Sequence, residues 1–143
     1  MNLGDLLMID YNFGEPYNYG KPIFIKSHED VESAVGNRVA ENPEEFWVVY
    51  YTPMGAHAFL LSRPVPPHVG VSIMKRMKCD EAYMIMSLRR GWYSCRVVRK
   101  PRPNDFVAKF WMTAGNGKMH PELEVKLREH DSHLPPEDRY FKD

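Results

Sequence analysis

The sequence predicts a single α+β domain, with a mainly antiparallel sheet of five to six strands and two to three helices packed on it. Strand-length apolar runs rich in aromatic and β-branched residues recur along the chain. Other segments carry apolar residues at helical spacing and begin after a capping residue or at a proline. Turn residues separate these runs. The expected division is an aromatic and acidic N-terminal arm over 1–20, an α+β domain over 21–131 and a polar C-terminal tail over 132–143.

The composition is that of an ordinary globular protein. Of the 143 residues, 43% are hydrophobic and 27% are charged, and a chain of this length buries a core without disulfides. No apolar run approaches the roughly 18 residues of a membrane span, and the N-terminus lacks the basic start of a secretory signal. With only Cys79 and Cys95, we expect a reducing, cytoplasmic location. The lack of Gln and the 12 Pro are biases seen in proteins from hot environments, whereas the nine Met argue against such a source.

The first half of the chain predicts an arm, a helix and a hairpin. Residues 1–20 read as a loop whose aromatic side chains either lie along the domain or dock a partner; they are Tyr11, Phe13, Tyr17 and Tyr19. A short edge strand over 21–26 precedes a helix over 28–40, which Ser27 caps and which buries Val31 and Val35. Strand 46–51 then turns at 52–55 into its partner over 57–61. His57 shares the apolar face of that partner and reads as a packed histidine before a ligand or base.

The second half of the chain contains the largest group of predicted neighbouring strands. Residues 63–70 are proline-rich and predict an irregular crossover, and 71–79 predict a short helix. Three apolar runs over 82–88, 92–98 and 106–113 then predict an antiparallel meander. The last helix, over 121–130, opens at Pro121 and buries the stripe Leu123, Leu127 and His130. The tail after it is either a docked strap or an interaction tail.

An outer face of this meander is the best candidate binding surface. Alternation along the second and third strands places four aromatic and basic side chains on one sheet face: Trp92, Arg96, Lys109 and Trp111. Nearby cations Arg89, Arg90 and Arg99 add positive charge. Such a surface is typical of protein hot spots and of platforms for single-stranded nucleic acid. A helix that covers this face is the structural alternative.

Charge is unevenly distributed along a chain that is neutral overall. Residues 1–50 carry nine acidic against three basic residues, and 75–109 carry ten basic against three acidic residues. The two halves either pair internally or orient the protein toward a charged partner. Overall neutrality and the lack of an RNP-type motif count against a dedicated nucleic-acid binder.

No motif in the sequence is specific enough to predict a catalytic or metal-binding site. The residues Cys79, Cys95, His120, His130 and His133 lack the close spacing of a zinc site, so no metal or cofactor is expected. Glu122 beside His120 reads as a first-turn carboxylate before an acid or base. The turn Gly115-Asn116-Gly117-Lys118 favours a plain connection over an anion cradle.

These observations favour a non-enzymatic regulator or accessory protein that binds a larger protein machine, including one that handles nucleic acid. A protein is therefore the expected partner, with no membrane and no small-molecule ligand. Direct binding of RNA or single-stranded DNA by the same face is the alternative. A small hydrolase that uses His57, His120 or Glu122 is the third hypothesis.

Overall fold

The computed structural model describes residues 1–14, 25–98 and 106–143 in full, and residues 17–18 and 21–22 by their backbone. Within these residues the chain is α+β, with antiparallel strands and four α-helices. The predicted class is therefore confirmed, but its detail differs. In place of one sheet of five to six strands there is a four-stranded sheet and two small two-stranded ones. None of the described helices is both long enough and apolar enough to cross a membrane.

The four-stranded sheet forms the centre of the fold. Its order is β2 (Met8–Asn12), β6 (Gly55–Leu60), β5 (Trp47–Thr52) and β8 (Lys109–Ala114), all antiparallel. The β5–β6 hairpin is confirmed as predicted, because an apolar strand, the turn residues Pro53 and Met54 and a second apolar strand are contiguous in sequence. The wholly buried residues of β5 include Trp47 and Tyr50.

The small sheets involve the N-terminal residues. Strand β1 (Asn2–Gly4) pairs with β7 (Tyr93–Ser94), and β3 (Tyr17–Asn18) pairs with β4 (Lys21–Pro22). The loop predicted over residues 1–20 is therefore wrong for 2–4 and 8–12. The missed signal is the buried aliphatic set Leu3, Leu6, Leu7 and Ile9, which belongs to the core. Of the predicted strand 21–26, only Lys21–Pro22 is a strand, and residues 23 and 24 lie outside the described residues.

Helices cover both faces of the central sheet. Helix α1 (His28–Glu41) begins after the N-cap Ser27 and buries Val31 and Val35, as predicted. It packs on the face that carries Tyr51. Helix α4 (Pro121–Ser132) buries Leu123, Leu127 and His130, also as predicted, and covers the face that carries Tyr50. The tail continues through a 3₁₀ turn (Pro136–Asp138) and docks on the same face, where Tyr140 packs against Phe110. The strap alternative for the tail therefore holds in this structure.

Two helices occupy the region where the sequence predicted a crossover over 63–70, a short helix over 71–79 and a strand over 82–88. The predicted short helix is confirmed for residues 71–76. Helix α2 (Pro67–Arg76) starts within the proline-rich segment, because Pro67 at the first helical position fits the fixed φ of proline. Helix α3 (Glu81–Arg90) replaces the strand predicted over 82–88. Asp80 caps it by accepting a hydrogen bond from the Tyr83 amide at 3.0 Å, and Gly91 ends it with φ of 84°. These two caps outweigh the two-sided apolar pattern that suggested a strand.

The predicted meander is therefore wrong. Its first run is α3, its second run contributes only β7, which pairs with β1, and its third run supplies β8, which pairs with β5. The register between β5 and β8 also shifts between Val49 and Tyr50. That irregularity breaks the strict alternation on which the predicted outer face depended.

Candidate functional site

A cleft of about 510 Å³ opens between α3 and the edge of the four-stranded sheet. We call it the α3 cleft. Its floor comes from β2 and β6, one wall comes from α3, and the other walls come from the β5–β6 turn and from the residues around positions 94–98 and 106–107. The lining is Met8, Asp10, Thr52, Pro53, Met54, His57, Tyr83, Met86, Ser87, Arg90, Ser94, Cys95, Arg96, Val98, Phe106 and Val107.

Helix α3 presents one face to the cleft. Its four lining residues, Tyr83, Met86, Ser87 and Arg90, follow the i, i+3, i+4, i+7 spacing of a single helical face. Tyr83 donates its hydroxyl proton to the Ser94 carbonyl at 2.8 Å, and the Ser87 hydroxyl donates to the Tyr83 carbonyl at 2.9 Å. The first bond holds α3 against β7, whereas the second lies within the helix.

A histidine and an aspartate lie side by side on the cleft floor. Asp10 of β2 is directly opposite His57 of β6 in the strand register, and His57 Nε2 lies 3.1 Å from Asp10 Oδ1. The side chain of His57 is 16% exposed and that of Asp10 is 23% exposed. The second ring nitrogen of His57, Nδ1, is buried and has no hydrogen-bond partner in the structure. The pair is thus a polar patch in a largely apolar floor.

The thiols near the cleft are poor nucleophiles. Burial raises the pKa of Cys95 to about 12, and burial also raises the pKa of Cys79 well above its ordinary value. Cys79 accepts a hydrogen bond from the Asp10 amide at 3.4 Å. Because the thiolate is the reactive form, both protonated thiols are weak nucleophiles at neutral pH.

The rim of the cleft is apolar and positively charged. Met54, Met86 and Val98 are 52%, 46% and 71% exposed, although each is a large hydrophobic residue. Arg90 and Arg96 are both exposed and line the same opening. Asp10, already engaged by His57, is the one carboxylate among the described lining residues.

The four residues of the predicted outer face do not share a sheet face. Trp92 lies in the turn between α3 and β7, and Arg96 follows β7, whereas Lys109 and Trp111 belong to β8 in the other sheet. The structure nevertheless brings Arg90 and Arg96 together at the α3 cleft.

The other predicted binding residues are dispersed. Arg89 is exposed on α3 but does not line the cleft, and Arg99 lies outside the described residues. In the predicted arm, Tyr11 is buried and donates its hydroxyl proton to the Met77 carbonyl at 2.7 Å. Phe13 packs edge-on against His28, and the side chains of Tyr17 and Tyr19 lie outside the described residues.

Trp111 belongs to a separate aromatic cluster on the α1 side of the sheet. Its ring stacks on Tyr51 with centroids 4.4 Å apart, and His28 meets both rings edge-on. Lys109, which the sequence placed beside Trp111, extends its ammonium group to 4.5 Å from the Phe106 ring centroid. Trp111 is only partly exposed, because Tyr51 and His28 at the start of α1 pack against its ring, whereas Trp92 is 41% exposed.

The remaining catalytic and metal candidates serve structural roles. His120 caps α4 by accepting a hydrogen bond from the Glu122 amide at 3.3 Å, and neither residue lines the α3 cleft. Across the described parts of the chain, no three His, Cys, Asp or Glu side chains converge as metal ligands. The turn amides of Asn116 and Gly117 donate to the carbonyls of Pro43 and Glu45, so they are not available to an anion.

No protein-family model, curated protein or solved structure matches this chain. The function of the protein is therefore inferred from the α3 cleft itself. The sequence pattern did not predict most of the residues that line the α3 cleft. The four lining residues from α3 fall on one face only if residues 81–90 are helical. The caps Asp80 and Gly91 carried that information.

Proposed function

We propose that this protein is a non-enzymatic regulator or accessory protein, and that it binds a segment of a larger partner protein in the α3 cleft. This class of function is the one expected from the sequence, but the proposed binding surface is the cleft and not a sheet face. Arg90 and Arg96 belong to both surfaces, whereas Trp92, Lys109 and Trp111 do not line the cleft.

The main support for this function is that three large apolar side chains are exposed around one opening. Met54, Met86 and Val98 come from the hairpin turn, from α3 and from the segment after β7, so three separate parts of the fold contribute them. Contiguous exposed apolar surface marks interaction sites in proteins. Methionine also suits such a site, since its unbranched side chain adapts to different partners.

The position of these residues favours a macromolecular partner. A cavity of about 510 Å³ is in the size range of small-molecule sites. A small ligand on the floor would contact Met8 and His57 but would leave the rim residues Met54 and Val98 in water. A polypeptide segment that inserts a side chain covers the rim as well, and it therefore buries more apolar area.

The polar groups of the cleft support binding over catalysis. The Ser87 hydroxyl donates to the Tyr83 carbonyl, and His57 is bonded through Nε2 while its Nδ1 is buried. A nucleophile needs an adjacent base within hydrogen-bond reach, and the thiols here stay protonated. The candidate reactive groups are thus engaged in contacts that hold the fold.

Capture from a nuclease-treated host lysate tests this proposal with two matched variants. Met86 and Leu88 are both exposed apolar residues of α3, at 46% and 40%, but only Met86 lines the cleft. We expect the wild type and Leu88→Glu to retain the same protein, and Met86→Glu to lose it. Circular dichroism and urea unfolding verify that both variants are folded.

Two results would overturn the proposal. Equal capture by the wild type and both variants would show that the cleft is not the interface. Capture that disappears with nuclease, and that weakens steeply with salt, would instead favour direct nucleic-acid binding.

A further inference from the structure

The arginines of the α3 cleft differ from the paired arginines elsewhere in the molecule. Arg38 and Arg63 both bind Glu45 at 2.8 Å, and Arg128 binds Glu124 and Asp143. Within the described parts of the chain, Arg90 and Arg96 form no ion pair with a carboxylate. Among the residues that the structure describes, the two cations at the rim of the cleft therefore have no carboxylate partner.

Arg90 is held in position by a neighbouring strand. Its Nη1 atom donates to the Ser94 hydroxyl at 2.8 Å, which directs the guanidinium across the gap between α3 and β7. A guanidinium has five N–H donors, so most of the Arg90 donors stay available to a ligand. A guanidinium that is already oriented loses less side-chain entropy on binding than a mobile one.

We propose that the partner segment carries an Asp or Glu side chain next to an apolar anchor residue, and that Arg90 and Arg96 bind this carboxylate while the anchor enters the cleft. The proposal rests on the proposed function and adds the chemistry of the partner. Ser94 is a positioning residue that acts through Arg90.

The charge of the lining favours a carboxylate over a phosphate. Among the described lining residues, the two arginines and the Asp10 carboxylate sum to one excess positive charge, which matches a monoanion. A dianionic phosphate would exceed that charge and would also approach the Asp10 carboxylate on the floor. Arginine recognises carboxylates through paired N–H donors, so the site has both the charge and the geometry for this group.

A displayed library of random short peptides tests the inference without knowledge of the natural partner. Peptides are selected on the wild-type protein and counter-selected on Met86→Ser, which removes the apolar side chain without adding a charge to the cleft. We expect the enriched peptides to combine an apolar residue with a nearby Asp or Glu. Enriched peptides that depend on the cleft but lack an acidic residue would overturn this inference and leave the proposed function standing. No cleft-dependent enrichment would overturn the proposed function and this inference with it.

A double-mutant cycle with one selected peptide then assigns the carboxylate to its arginines. Arg96→Gln should weaken the acidic peptide about fivefold and leave its Glu→Gln counterpart unchanged. Arg89→Gln is the matched control, since Arg89 is the neighbour of Arg90 on α3 but does not line the cleft. Equal effects of Arg96→Gln on both peptides would overturn the assignment.

The same two peptides test the role of Ser94. Ser94→Ala should weaken the acidic peptide and spare the Gln peptide, because the lost hydroxyl orients only the guanidinium of Arg90. Ser94→Thr keeps a hydroxyl at this position and should restore the discrimination. A loss for both peptides would show a purely structural role for Ser94.

Discussion

Two histidine–aspartate pairs face the same side of the four-stranded sheet. His57 and Asp10 lie on the floor of the α3 cleft, and His130 and Asp131 lie on the buried face of α4. Both pairs have a nitrogen–oxygen distance of 3.1 Å. Tyr50 connects the two regions, since it is opposite His57 in the sheet and donates its hydroxyl proton to Asp131 at 2.5 Å.

The surroundings of the two pairs are different. His130 is completely buried, and Asp131 also accepts the backbone amides of Tyr140 and Phe141 at 2.9 and 3.0 Å. Asp10 and His57 keep part of their surface in water, and no helix or strap closes over them within the described residues. One end of the sheet face is therefore filled by the protein's own tail, and the other end is open as far as residues 1–14, 25–98 and 106–143 are concerned.

This contrast indicates how the chain separates stability from binding. The Asp131 carboxylate connects α4, the sheet and the tail, so each of its bonds holds two parts of the fold together. The Asp10 carboxylate contacts one neighbouring strand. Changes at the filled end should unfold the protein, whereas changes at the open end should alter binding.

Removal of the Asp131 side chain should cause the largest loss in the free energy of unfolding. Asp131→Ala leaves the Tyr50 hydroxyl and the amides of Tyr140 and Phe141 without an acceptor, and it should lower the free energy of unfolding by about 3 kcal/mol or more. Asp10→Ala is the matched change and should cost less than about 1 kcal/mol, because it removes one partly exposed pair. Urea unfolding measures both. Equal losses would contradict the contrast between the two ends.

The second-largest effect should be a loss of stability at acid pH, which arises at the end of the sheet face that the tail fills. Burial lowers the pKa of His130 below its usual 6.5, although Asp131 opposes this shift. The unfolded chain therefore binds a proton at this side chain more readily than the folded protein does. The stability that neutral His130 contributes is present above about pH 6.5 and is lost as the pH falls below it.

The His130→Gln variant isolates this contribution. Between about pH 7 and about pH 5, its free energy of unfolding should decrease less than that of the wild type. Urea midpoints across that range provide the measurement. Identical slopes for the two proteins would show that His130 is not the titrating group.

The open end should show the smallest effect on stability. Met86→Ser changes a side chain that is 46% exposed, so the free energy of unfolding should stay within about 0.5 kcal/mol of the wild type. Leu127→Ala at the filled end is the contrasting change and should cost about 3 kcal/mol, since Leu127 is fully buried. A large loss for Met86→Ser would show that this residue belongs to the core.

Elements with local signals could be predicted from sequence. Helix α1 follows Ser27, α4 opens at Pro121, and the β5–β6 hairpin has its turn between two apolar runs. Helix α3 was missed because a short run that is apolar on both faces fits a buried strand as well as a helix. The flanking Asp80 and Gly91 could have decided the question.

The candidate site was harder to predict than the elements. Asp10 and His57 are adjacent only because β2 pairs with β6, and Arg96 and Met54 line the same cleft only because β7 pairs with β1 rather than with β8. Nothing in the local sequence specifies such partners, since any two apolar strands of similar length can form the same backbone hydrogen bonds.

Propensity, caps and periodicity act over a few residues, so the local amino-acid pattern predicts the α+β class, the hairpin, the capped helices α1 and α4 and the buried stripe of α4. Strand pairing, the sheet face that α1 covers and the set of apolar residues that stay exposed depend on tertiary packing. Burial depends on what packs against a residue, and those neighbours come from distant parts of the chain. The α3 cleft therefore exists only in the folded molecule.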